Sequence, residues 1–121
     1  GLNDYLTENG LIGEEVILFG EIPAAAYYFS LEPAISSTWP DLASFQSQKF
    51  CQEIDVLEKE GKTPMVIVNG LNAINIHAYA EVEEVQSEWE KKVKRLQLFL
   101  YDNNYEQSYV SEGYVVYQKA D

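Results

Sequence analysis

Chemistry near neutral pH needs a nucleophile, a base, an electrophile or a metal held within mutual reach. The sequence offers few residues of those types. His77 is its single histidine and Cys51 its single cysteine. A hydrolytic triad holds an imidazole between an acid and a nucleophile. No serine here stands in the G-x-S-x-G elbow that lifts a hydroxyl between a strand and a helix. His77 therefore reads as a loop histidine. Cys51 follows Phe50 inside a helical pattern and reads as a small buried or half-buried side chain, not a nucleophile. One His and one Cys cannot build a zinc site. Carboxylates come as Glu14-Glu15, Glu58 with Glu60, and Glu83-Glu84, with no D-x-D-x-D-G loop for calcium. They read as solvated charge on helix faces and strand starts. The expectation is no catalytic residue, no metal and no cofactor in this chain.

Nucleotide binding would need a glycine-rich turn after the first strand. The chain has Phe19-Gly20-Glu21-Ile22-Pro23, with one glycine, no lysine and an acid at the helix start. Glu21 would itself occupy the positive helix end and repel a phosphate. A phospho-accepting receiver domain would end its third strand in aspartate, where Asn69 stands. One location remains as a binding candidate. In open α/β sheets ligands bind beyond the carboxyl ends of strands where the strand order reverses. That places Gly20 and Glu21 opposite Asn69, Gly70, Asn72 and Asn75, whose neutral amides suit a sugar or a peptide. The first reading of the same residues is as ordinary turn formers.

These residues must be held by elements that the pattern predicts. A short helix over 3–9 has Asn3 or Asp4 at its start and Gly10 where a left-handed residue ends it. Glu15-Val16-Ile17-Leu18-Phe19-Gly20 is a continuous apolar run and predicts a buried parallel strand. An alanine-rich helix over 22–30 follows, with Pro23 in its first turn. A short second strand is predicted at 34–37, then a turn at Trp39-Pro40-Asp41. Ser44 starts a long helix running to about residue 60, with Phe50, Ile54 and Leu57 on its core face. Gly61 stops it and Pro64 prevents continuation. Met65-Val66-Ile67-Val68 is a second apolar strand, ended by Asn69-Gly70.

The most regular helix is predicted over about 81–101. Val82, Val85, Trp89, Val93, Leu96 and Leu100 recur at steps of three and four. Acids open it and Lys91, Lys92, Lys94 and Arg95 come later, matching the helix dipole. Glu88 with Lys92 and Glu90 with Lys94 add i,i+4 pairs. Asn103 or Asn104 ends it. Strands at 105–110 and 114–118 then form a hairpin through Ser111-Glu112-Gly113. Alternating strands and helices predict a parallel sheet with right-handed crossovers. The expected fold is a single α/β domain over 1–121, a three-layer α/β/α Rossmann-like sandwich. Its sheet would be mostly parallel, of order 2-1-3-4-5, with an antiparallel C-terminal edge hairpin.

Composition bounds the function classes. The 121 residues suit one domain, and 46% hydrophobic with 23% charged residues is an ordinary globular balance. Formal net charge is −12, a field that repels phosphate backbones and anionic lipid headgroups. Nucleic acid is therefore disfavoured as a partner. One cysteine allows no internal disulfide. No stretch approaches the ~18 apolar residues of a membrane span. No basic region precedes an apolar core at the N-terminus, so no signal peptide is expected. The opening Gly1-Leu2-Asn3, without Met, suggests a piece cut from a longer protein.

Two stretches carry a resemblance. The first is Glu15-Val16-Ile17-Leu18-Phe19-Gly20, leading to Ala26-Tyr27-Tyr28-Phe29-Ser30, then Pro33 and Trp39-Pro40-Asp41. The second is Leu100-Tyr101-Asp102-Asn103-Asn104-Tyr105-Glu106, leading to Gly113-Tyr114-Val115-Val116-Tyr117. Together they resemble the C-terminal soluble domain of bacterial multi-spanning membrane glycosyltransferases, the mannosyltransferase-like type that uses lipid-linked sugars. The resemblance implies a non-catalytic accessory domain outside the cytoplasmic membrane. Its partners would be the membrane-embedded portion of the parent protein and a glycan acceptor that it helps to position. The catalytic carboxylates of that family lie in a loop that this chain lacks, so none carries over. Where the family has glycine followed by arginine or lysine after the tyrosine pair, this chain has Leu31-Glu32. A basic contact to a lipid phosphate does not carry over either. A free-standing sugar- or peptide-binding module is the alternative reading.

Overall fold

A computed structural model of the chain describes residues 2–19, 31–35, 46–69, 88–110 and 113–120. Its elements are α1 (Leu2–Glu8), β1 (Glu15–Phe19), β2 (Glu32–Pro33), α2 (Ser47–Lys59), β3 (Met65–Asn69), α3 (Glu88–Asp102), β4 (Tyr105–Val110) and β5 (Tyr114–Lys119). Two helix ends share one device. Gly10 has φ +66° and Gly61 φ +70°, a region that side chains other than glycine rarely enter. The Gly10 and Leu11 amides then close on the Thr7 and Leu6 carbonyls, at 3.3 and 2.9 Å. Those of Gly61 and Lys62 close on Glu58 and Leu57, at 3.1 and 2.9 Å. Both are Schellman ends, which satisfy carbonyls that a helix terminus leaves open. At the end of α3, Asn104 takes the left-handed role, with φ +57°.

The strands form one open, mixed five-stranded sheet of order β2-β1-β3-β5-β4. β1 runs parallel to β2 and to β3, with Ile17 opposite Val66 and Phe19 opposite Val68. β5 is antiparallel to β3 and to β4. Strand alternation sorts the apolar residues onto two faces. Ile17, Phe19, Val66, Val68, Val115 and Tyr117 meet Phe50, Ile54 and Leu57 of α2 and Val93, Leu96, Phe99 and Leu100 of α3. Val16, Leu18, Met65, Ile67 and Val116 meet Leu2 and Leu6 of α1, together with Leu31.

Three expectations need correction. The sheet order is 2-1-3-5-4, not 2-1-3-4-5, and two of its four pairings are antiparallel. The reason lies in the two hairpin strands. Val115, Val116 and Tyr117 of β5 are buried on both faces, whereas β4 reads Tyr-Glu-Gln-Ser-Tyr-Val and has no fully buried residue. The apolar strand takes the interior and the polar one the edge, where a register shift between Gln107 and Tyr109 also interrupts the ladder. β3, α3 and β4 thus make a split β-α-β unit with β5 inserted in its gap.

The second strand is Glu32–Pro33, not 34–37. The Glu32 amide donates to the Glu14 carbonyl and the Ala34 amide to that of Val16, at 3.0 and 2.8 Å. Pro33, which has no N–H, sits between them with that position turned to the open edge. The long helix begins at Ser47, with extended Gln46 as its N-cap, so Ser44 is not the capping residue. The predicted helix over 22–30, the turn at 39–41 and residues 81–87 of the predicted helix lie outside the described residues.

Candidate functional site

The strand order reverses between β1 and β3. The chain leaves β1 for β2 on one side and reaches β3 on the other. Phe19 and Val68 are register partners, so the chain leaves both strands side by side at their carboxyl ends. This is the geometry in which an open α/β sheet leaves a crevice for ligands. Of the predicted crevice residues, Asn69 is placed. It closes β3, half-buried, opposite Tyr114 of β5. Gly20, Glu21, Gly70, Asn72 and Asn75 lie outside the described residues, as does His77.

Cys51 is half-buried and packs against the apolar cluster beneath α2. Among the described residues no group of three or more His, Cys, Asp or Glu is gathered for a metal ion. Of the carboxylate pairs, Glu14 and Glu15 are exposed at the start of β1, and Glu60 makes only a long surface contact with Lys62 at 3.9 Å. Glu58 departs from the expectation of simple solvated charge. Arg95 of α3 grips it and also reaches Asp55, with Nη2 and Nε at 2.8 and 3.1 Å from Asp55 Oδ1. Asn103 Nδ2 donates to Glu58 Oε2 at 3.2 Å and to the Phe99 carbonyl at 2.9 Å. This network ties α2 to α3 and is structural. A sequence signal for it existed: Arg95 is the only arginine, and Asp55 and Glu58 lie three apart on one helix.

Two side chains on α3 are buried without a sign of it in the sequence, where Lys92 reads as the i,i+4 partner of Glu88. Lys92 is fully buried, and Gln97 is nearly so, with neither side-chain amide atom hydrogen-bonded. Tyr105 donates its hydroxyl to the Pro64 carbonyl at 2.6 Å, and burial pushes its phenol well above the usual tyrosine range. Among the described residues no helix is long and apolar enough to cross a membrane. In comparisons with known proteins, no family model, no curated protein and no solved structure matches this chain.

Proposed function

We propose that this chain is a non-catalytic accessory domain of a membrane-bound glycosyltransferase, on the extracytoplasmic side, where it helps to position a glycan acceptor. Its sheet, with apolar clusters on both faces, is read as a variant of the three-layer Rossmann-like sandwich. One observation carries the functional reading. The described residues of the two resembling stretches are joints of the frame, not a reaction centre. Glu15–Phe19 is the strand held between two parallel neighbours. Leu100 to Glu106 turns α3 into the edge strand through Asn104, and Tyr114 to Tyr117 fills the gap beside β3. On this reading the domain supports and orients while another part of the protein does the chemistry. The sequence encoded upstream of Gly1 tests this. Several apolar spans of about 20 residues are expected there, and a parent with none ends the reading.

A second reading is a sugar- or peptide-binding module that uses the crevice beyond β1 and β3. The reversal of strand order between them favours it. Titration with oligosaccharides should then move the Asn69 amide resonance first. Shifts confined to other parts of the sheet would count against it.

A further inference from the structure

The opposite end of the sheet carries its own feature. A cavity of about 420 Å³ opens at the amino ends of β1 and β3, where β5 finishes. That volume lies within the usual range for small-molecule sites, roughly 300–1,000 Å³. Its apolar base is built from Leu11, Pro64 and Met65. Its charges are sorted by strand order. Glu14 and Glu15 stand where β1 begins, Lys62 stands in the loop before β3, and Lys119 ends β5. By strand order the two acids stand on one side, Lys62 and Thr63 in the middle, and Gln118 with Lys119 on the far side. Among the described residues the side chains of Glu14, Glu15 and Lys119 make no ion pair, and Lys62 has only its long contact with Glu60. Gln118 accepts the Tyr5 hydroxyl at 3.2 Å through Oε1, which leaves its Nε2 to donate.

We propose that this cavity is a binding site for a zwitterion with an apolar side chain, best matched by a short peptide with both termini free. The ammonium end faces Glu14 and Glu15, the carboxylate end faces Lys62 and Lys119, and the side chain rests on Leu11, Pro64 and Met65. The scale is right for a short peptide: β1 and β5 are separated by two strand spacings, roughly 10 Å of backbone, and an extended dipeptide is about 6 Å between its terminal groups. The net charge of −12 adds a general attraction for the cationic end, so the two lysines are what select a zwitterion over a plain amine. This site is separate from the β1/β3 crevice and does not depend on the membrane-enzyme reading.

The test is a ¹⁵N NMR titration of the intact chain with alanyl-leucine, its N-acetyl form and its C-amide form. Free dipeptide should move the amides of Leu11, Glu15, Thr63 and Lys119, with millimolar affinity or better. Capping either end should weaken binding about tenfold, the equivalent of one well-placed charge. The double variant Lys62→Ala/Lys119→Ala should lose discrimination against the C-amide and keep it against the N-acetyl form. The double variant Glu14→Gln/Glu15→Gln should do the reverse. All four side chains are exposed, so the variants should keep the wild-type amide dispersion. The proposal is overturned by an absence of shifts at these amides up to tens of millimolar dipeptide. It is equally overturned by equal affinity for free and capped forms, or by shifts centred on Asn69 instead.

Discussion

Among the described residues, the two faces of the sheet are met by helices of different length. One is roofed by two helices of 13 and 15 residues, whose aromatic and aliphatic side chains interlock over Phe19 and Tyr117. Among the described residues the other is met by a seven-residue helix that contributes Leu2 and Leu6. Beside that helix the side chains change character. Tyr5 stacks on Tyr109 with ring centroids 4.4 Å apart, and Tyr114 joins the same cluster half-buried. Tyrosine suits the border of an apolar cluster, because its ring covers carbon while its hydroxyl stays wet.

Truncation should expose this difference. Phe99→Ala, beneath the two long helices, should cost about 3–5 kcal/mol, measured as the shift in urea unfolding free energy. Leu6→Ala is just as buried but sits on a helix of only seven residues, with less packing to hold it in place as the gap forms. Its expected cost is about 2 kcal/mol, the low end for such changes. Equal losses at the two sites would break the comparison. Arg95→Ala should cost about 1–2 kcal/mol by leaving half-buried Glu58 without its charged partner, and added salt should restore little of it.

The smallest effect is alkaline. Burial raises the Tyr105 and Tyr117 phenols above their ordinary value of 10, and both belong to the face beneath the two long helices. The folded state thus holds their protons more tightly than the unfolded chain. Stability is unaffected below about pH 10 and falls as pH rises beyond it. Urea midpoints between about pH 9 and 11.5 should show that fall, and Tyr105→Phe should make it shallower. An unchanged slope in that variant would remove Tyr105 from the account.

What the sequence made legible follows the same division. The runs at 16–19 and 65–68 were readable as adjacent buried strands because both faces of each are apolar. Phe50, Ile54 and Leu57, the glycines at 10 and 61, and the turn at Asn104 were readable because spacing and left-handed backbone are local properties. The order of the last two strands was not, because hairpin chemistry says that strands pair but not which partner inserts. The lower polarity of Val115-Val116-Tyr117 against Glu106-Gln107-Ser108 held that information. The Arg95 network crosses from one helix to another: the spacing of Asp55 and Glu58 marks one side of it, but only the packing of α2 on α3 brings Arg95 to them. Of the predicted crevice, the meeting of β1 and β3 was legible from strand order, and Asn69 is the residue placed there.

The position of β5 has a consequence for how the chain is made. It is the last of the described strands, yet β4 and one side of β3 depend on it for their backbone partners. While a ribosome is still adding residues, β1 and β3 can associate, but β3 keeps one side open and β4 has nothing to hold. The sheet therefore closes only once residues 114–119 have emerged, and until then an apolar strand edge stays available to strangers. A nascent chain halted before Tyr114 should bind chaperones that the finished chain ignores.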